Sequence, residues 1–221
     1  MSTHPQIELP DGYVDVPEGR LAAVATTLEM RSRPQSPPGL SPRVLSPLRE
    51  GLQIRPVPRP DPDWYRGLFR SIGEPWLWYS RLRLSDAHLT AIIHDPQVSI
   101  WSLSAVDPGG ERVSDEGLLE LDFREPGACE LAFFGLSVAL TGRGVGRHLM
   151  AHAIAEAWAR PIERFWVHTC TLDHPAALGF YIRSGFVPIK RQIEISRDPR
   201  LDGTLSPSAA PEVPLLGKPL P

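Results

Sequence analysis

The chain has 221 residues, 42% of them hydrophobic and 22% charged, with a formal net charge of −3. Those values describe one globular domain of ordinary size with a full core, and they give no general reason to expect nucleic acid or an anionic membrane as partner. No apolar run reaches the ~20 residues that span a bilayer. The start, Met-Ser-Thr-His-Pro-Gln, lacks the basic-then-apolar pattern of a signal peptide. Two cysteines, Cys129 and Cys170, are too few for a disulfide framework, so a cytoplasmic protein is expected.

The 25 prolines divide the chain, because nine fall between Pro34 and Pro62 and six between Pro199 and Pro221. Proline locks φ and removes a backbone donor, so such stretches form linkers and arms. The expected division is an N-terminal extension over 1–47, a folded domain over 48–196 and a poorly ordered tail over 197–221. Within the extension, a Pro-Glu-Gly turn between Tyr13–Val16 and Leu21–Met30 suggests a hairpin. Leu52–Val57 reads as a short strand. Asp63 then caps a helix that carries Trp64, Leu68, Phe69 and Ile72 on one stripe. Ser85 or Asp86 caps a second helix with Leu89, Ile92 and Ile93 at helical spacing, and Pro96 lies just past its end.

From Val98 the period changes to two. Val98–Val106 is strand-like, and Asp107-Pro-Gly-Gly turns the chain. Leu119, Leu121 and Phe123 alternate with Glu120, Asp122 and Arg124, the pattern of a strand with one buried face and a surface ion-pair row. Glu130–Leu136 completes an antiparallel meander. Gly142, Gly144 and Gly146 follow, and then a helix with Leu149, Met150, Ala153, Ile154, Ala157 and Trp158 on one face. Phe165–Val167 is a short buried strand. Asp173-His174-Pro175 reads as a cap for a helix bearing Ala177, Leu178 and Tyr181, which Gly185 stops. Phe186–Ile195 is the last strand. The sum is a three-layer α/β (α+β) domain around one mixed sheet.

The strand, glycine turn and helix start at 131–150 direct free backbone N–H groups and the positive helix end at one spot, which suits an anion such as phosphate. Arg143 and Arg147 add fixed positive charge there. A Walker A loop needs Gly-Lys-Ser/Thr where this chain has Arg147-His148. A dinucleotide fingerprint needs a glycine at position 147 and should open a βαβ unit. What remains is a coenzyme A pyrophosphate site, or a helix that binds nothing.

Two motifs carry a resemblance. Thr141-Gly142-Arg143-Gly144-Val145-Gly146 resembles the Arg/Gln-x-x-Gly-x-Gly/Ala loop of the GNAT superfamily of acyl-CoA-dependent N-acyltransferases, with Thr141 in place of Arg or Gln. His174-Pro175-Ala176-Ala177-Leu178-Gly179-Phe180-Tyr181, then Gly185-Phe186, is similar to that family's Asn-x-x-Ala-x-x-Phe-Tyr and Gly-Phe signature, with His174 in place of Asn. The order of elements over roughly 52–195 agrees as well.

The resemblance implies the GNAT fold, with acetyl-CoA as cosubstrate and a primary amine as acceptor. It places the cofactor at Leu136, Ser137, Val138, Thr141–Arg147, His174, Ala177, Phe180 and Tyr181. A backbone N–H near Leu136–Val138 polarises the thioester carbonyl, pantetheine pairs with that strand edge, and Tyr181 is the general acid. Glu130-Leu-Ala-Phe-Phe-Gly-Leu136 resembles the strand that carries the glutamate base of histone-type members, so Glu130 is the candidate base; a solvated strand residue is the competing reading. His168 and His174 are further candidates for a base or a ligand contact. No cluster has metal-ligand spacing. Trp64, Tyr65, Trp76, Trp78 and Tyr79 either line an acceptor pocket or form core. A non-catalytic acyl-CoA-binding module remains the alternative function, because the Arg/Gln and Asn of the two signatures are missing. The proline-rich arms are candidates for contact with a second copy of the chain, as in a homodimer.

Overall fold

The computed structural model describes residues 11–34, 48 and 51–218. Seven strands form one mixed sheet in the order β2-β3-β4-β5-β6-β1-β7. In the chain they run β1 (Arg20–Met30), β2 (Leu52–Pro56), β3 (Val98–Val106), β4 (Arg112–Asp122), β5 (Ala128–Leu136), β6 (Arg164–Cys170) and β7 (Val187–Arg197). The helices are α1 (Pro62–Gly73), α2 (Asp86–Ile93), α3 (Val145–Ala157) and α4 (Ala177–Arg183). Leu149, Met150, Ala153 and Ile154 of α3 and Tyr181 of α4 pack on one sheet face. Tyr65, Leu68, Phe69 and Ile72 of α1, with Leu89 and Ile93 of α2, pack on the other.

Several expectations need correction. The hairpin over 13–30 does not form. Both edges of β1 are occupied, by β6 on one side and β7 on the other, so the residues before the turn have no edge to join. The cap of α1 is Asp61, whose carboxylate accepts from the amides of Asp63 (2.9 Å) and Trp64 (3.1 Å); Pro62 opens the helix and Asp63 adds negative charge to its first turn. Ser85 does cap α2. Helix α4 begins only at Ala177, because the Asp173 carboxylate is taken by Thr169 Oγ1 (2.7 Å), the Cys170 amide (2.8 Å) and Trp78 Nε1 (3.2 Å).

From Gly117 onward, strand β4 is buried on both faces. Glu120 is 0% exposed beneath α1, where it accepts from the Tyr65 hydroxyl and from Arg81 at 2.5 Å. It is no member of a surface row. Asp122 is nearly buried too, and is paired with Arg124.

The tail after Arg197 is packed as far as Val213, contrary to the expectation of poor order. Arg200, 3% exposed, donates to the Asp198 carboxylate (2.7 and 3.0 Å) and to the carbonyl of Val213 (2.8 Å). Leu205, Ala209 and Ala210 then close a small apolar cluster with Leu21 and Leu77. An ion pair with every polar atom engaged gives a proline-rich segment a fixed shape that its composition does not suggest. Most of the connector over 31–47 lies outside the described residues.

Candidate active site

The site begins where two parallel strands part. β5 and β6 pair only at Ala128–Arg164, Cys129–Phe165 and Glu130–Trp166. Beyond Glu130 they diverge, and the rest of β5 offers an open edge toward the gap. A β-bulge between Leu131 and Phe133, opposite Glu120–Leu121, adds twist at the same point. The ladder with β4 sorts the amides. Ser137 N–H is spent on Glu116 O at 2.8 Å. Alternation along an antiparallel pair therefore turns the amides of Leu136 and Phe134 away from β4, into the gap.

The gap opens into a cavity of about 600 Å³ lined from both sides of the sheet. On the α3/α4 side stand Leu136, Thr141, Gly142, Gly144, Gly146 and Arg147. His174, Ala177, Phe180 and Tyr181 complete that wall. Ser137, Val138, Arg143 and Val145 are not among the lining residues; Val138 points into solvent and Val145 into the core. Gly142 (φ 76°) and Gly144 (φ 81°) hold left-handed backbone that a side chain would strain, and Gly144 is the residue before α3. In the first turn of α3 the Arg147 amide donates to the Gly144 carbonyl at 3.3 Å, whereas the amides of Val145 and Gly146 have no acceptor inside the helix and remain available beside the Arg147 side chain. The Thr141 hydroxyl donates to the Ser137 carbonyl at 3.0 Å and closes the loop.

Tyr181 is 7% exposed at the cavity wall, in a ring cluster with Phe134, Phe180 and Phe186. Burial pushes its phenol well above the ordinary tyrosine pKa, so the hydroxyl stays protonated at neutral pH. Glu130 does not line this cavity. It faces a smaller recess with Asp122, Arg124, Glu125 and Trp166, and its carboxylate lies 3.5 Å from His168 Nδ1. His168 does line the main cavity. The adjacent Glu130 carboxylate lifts the His168 pKa above the usual imidazole value, against the lowering effect of burial, and Asp173 and Glu194 add to the rise.

On the α1/α2 side the cavity wall is formed by Trp76, Leu77, Trp78, Tyr79 and Phe133, with Glu194 at the rim. Trp78 is fixed by its bond to Asp173 and by rings of Phe69 and Phe133, each 5.4 Å away. Trp64 and Tyr65, read in the sequence with the same aromatic group, belong to the core under α1. His174 accepts from the Ala176 amide at 3.0 Å and stands 5.0 Å from the Trp76 ring. Cys170 lines the cavity with its thiol pushed up to about 11 by burial, which leaves it a poor nucleophile. Glu194 and the locking role of Asp173 escaped the sequence reading. The alternation along β7 was the available signal for Glu194, but nothing local marks which face of β7 meets the cavity. Among the described residues no group of His, Cys, Asp or Glu could hold a metal ion, and no helix is long and apolar enough to cross a membrane.

Residues 65–186 match the Acetyltransferase (GNAT) family, which is more than half of the chain, and the protein belongs to that family. No curated protein matches the sequence. Among solved structures, a functionally unknown conserved protein from Staphylococcus epidermidis ATCC 12228 superposes with a TM-score of 0.55 at 14% identity, over 81% of this chain and 63% of that one. A GCN5-related N-acetyltransferase from Sphaerobacter thermophilus gives 0.52 at 17%, over 82% and 52%. An aminoglycoside acetyltransferase from an uncultured soil metagenomic sample gives 0.50 at 14%, over 62% and 89%. The chain thus spans between about half and two thirds of the first and second of these. At such identities the likeness is one of fold: the seven-stranded mixed sheet flanked by four helices is the GNAT fold.

Proposed function

We propose that the protein is an N-acetyltransferase that moves an acetyl group from acetyl-CoA directly to a primary amine. The observation that carries this reading is the cavity through the parted sheet, which joins a wall of glycine backbone to a wall of aromatic side chains. The cofactor side suits acetyl-CoA. Two glycines in left-handed backbone, the first-turn amides of α3 and Arg147 make a cradle for a pyrophosphate, and the open edge of β5 offers unspent amides to a pantetheine arm. Acetyl-CoA supplies the activated thioester carbonyl. The Leu136 amide, turned into the gap, is the donor for the carbonyl oxygen. His168 takes the proton that the amine gives up, and Glu130 behind it stabilises the imidazolium that results. Tyr181, kept protonated by burial, gives its proton to the leaving sulfur. In sum a C–N bond forms, the C–S bond breaks, and the thiol leaves protonated. The base thus departs from the direct role for Glu130 expected from the sequence.

A second reading is an acyl-CoA-binding module without turnover, and the position of Glu130 outside the main cavity is what favours it. Incubation with acetyl-CoA and a broad amine panel, read by release of free thiol, separates the two. Amine-dependent thiol release supports the enzyme. A thermal shift with acetyl-CoA but no thiol release across the panel supports the module.

A further inference from the structure

We infer that the acceptor is a monoamine with an aromatic or bulky apolar body and no carboxylate next to the amine. This deepens the acetyltransferase reading above and rests on it. Three features of the α1/α2 side of the cavity carry the inference.

The first is the sign of the charge. His168 stands among three carboxylates, those of Glu130, Asp173 and Glu194. Arg83, stacked over the Tyr79 ring, is already paired with Asp202 at 2.6 Å and with the Arg197 carbonyl at 3.1 Å. A cation entering on this side meets favourable potential, whereas an α-carboxylate meets like charge, because the two arginines that line the cavity, Arg147 and Arg183, stand on the opposite wall with α3 and α4.

The second is the number of carboxylates still open. Asp173 is filled by Thr169, the Cys170 amide and Trp78, and Glu130 is engaged by His168. Glu194 is left, held in place by the Tyr79 hydroxyl at 3.2 Å. One open carboxylate fits one ammonium group. A polyamine or an aminoglycoside brings several, and the rest would lie against rings and aliphatic chains without a partner.

The third is the wall itself. Trp78 is held rigid by Asp173, Phe69 and Phe133, and Leu77 is backed by Leu205, Ala209 and Ala210 of the folded tail. A preorganised apolar wall favours a compact hydrophobic body, with added cation–π attraction to the indole.

The test compares matched pairs. Phenethylamine against phenylalanine isolates the carboxylate, and hexylamine against cadaverine isolates the second cation; spermidine, kanamycin and a lysine peptide complete the panel. We expect phenethylamine and hexylamine to exceed their charged counterparts at least about tenfold in kcat/KM by thiol release, the order of a single desolvated charge. Quenching of tryptophan fluorescence by phenethylamine, with and without CoA, reads binding independently of turnover. Glu194→Gln should weaken that binding about fivefold at low salt, with the effect fading at high salt, as for a solvent-screened ion pair. Preference for phenylalanine, spermidine, kanamycin or the peptide overturns the inference and leaves the acetyltransferase reading standing. If no amine releases thiol, the acetyltransferase reading fails by itself; saturable quenching by phenethylamine but not phenylalanine then still supports the amine site, and its absence overturns that as well.

Discussion

The two walls of the cavity are built from different materials. The wall proposed for the cofactor is made of backbone: left-handed Gly142 and Gly144, first-turn amides of α3 and the open edge of β5, all within one stretch of sequence. The wall proposed for the acceptor is made of side chains from distant parts of the chain, namely Trp76–Tyr79 after α1, His168 on β6, Asp173 before α4 and Glu194 on β7, with the tail packed behind Leu77. A backbone cradle depends on local φ and ψ and is tolerant of side-chain change. A side-chain wall depends on buried tethers, and each tether is a point at which it can be broken.

The largest effect is expected at such a tether. Arg81 lies against the Phe133 ring and reaches Glu120 at the sheet centre, while its Nε has no partner. Glu120→Ala leaves the guanidinium buried and unpaired and should cost about 3–5 kcal/mol, measured by urea unfolding. Remaining folded protein should keep CoA affinity and lose amine binding. Unchanged stability would remove the Tyr65–Glu120–Arg81 network as the support of this wall. Next comes the junction of the two walls. Tyr181→Phe keeps the ring cluster and removes the hydroxyl, so turnover should fall about 100-fold with CoA affinity unchanged, the usual scale for a proton donor. Unaltered kcat would remove Tyr181 from proton transfer. A smaller effect belongs to the cofactor wall alone. Gly144→Ala forces a Cβ into left-handed backbone at a cost of about 1–2 kcal/mol. CoA affinity should drop roughly tenfold by calorimetry, while amine quenching of the tryptophans stays as it was.

The same contrast explains what could be read in the sequence. The glycine loop, the strands of the meander and the face of α3 are local patterns, and all of them stand where periodicity puts them. The expectation of the GNAT fold rested on the resemblance of that loop and of the His174–Phe186 stretch to the family signatures, together with the order of these elements. What could not be read depended on partners far away. The hairpin before Met30 fails because β6 and β7, more than a hundred residues later, claim both edges of β1. Glu120 and Asp122 alternate like surface residues, yet α1 and Arg81 cover one and Arg124 pairs with the other. The tail is proline-rich, and only the buried Arg200–Asp198 pair shows why it folds. Asp173 looked like a helix cap until Trp78 and the end of β6 were seen to claim it.

The smallest expected effect concerns Glu130, the one predicted catalytic residue that the structure sets outside the cavity. Its carboxylate beside His168 raises the imidazole pKa. A base must be neutral to accept a proton, so the rate should rise as pH increases through that raised value. Glu130→Gln keeps the shape and removes the charge, and the acidic limb of kcat/KM should move to lower pH, toward the ordinary histidine range. Stability carries the opposite-looking signature from the same shift. A group whose folded pKa exceeds its unfolded one stabilises the fold fully below the unfolded value and loses that contribution as pH rises through the folded value. In the glutamine variant this slope should flatten. A limb that stays in place while turnover collapses would instead make Glu130 the direct base and His168 a bystander, which is the assignment the sequence alone suggested.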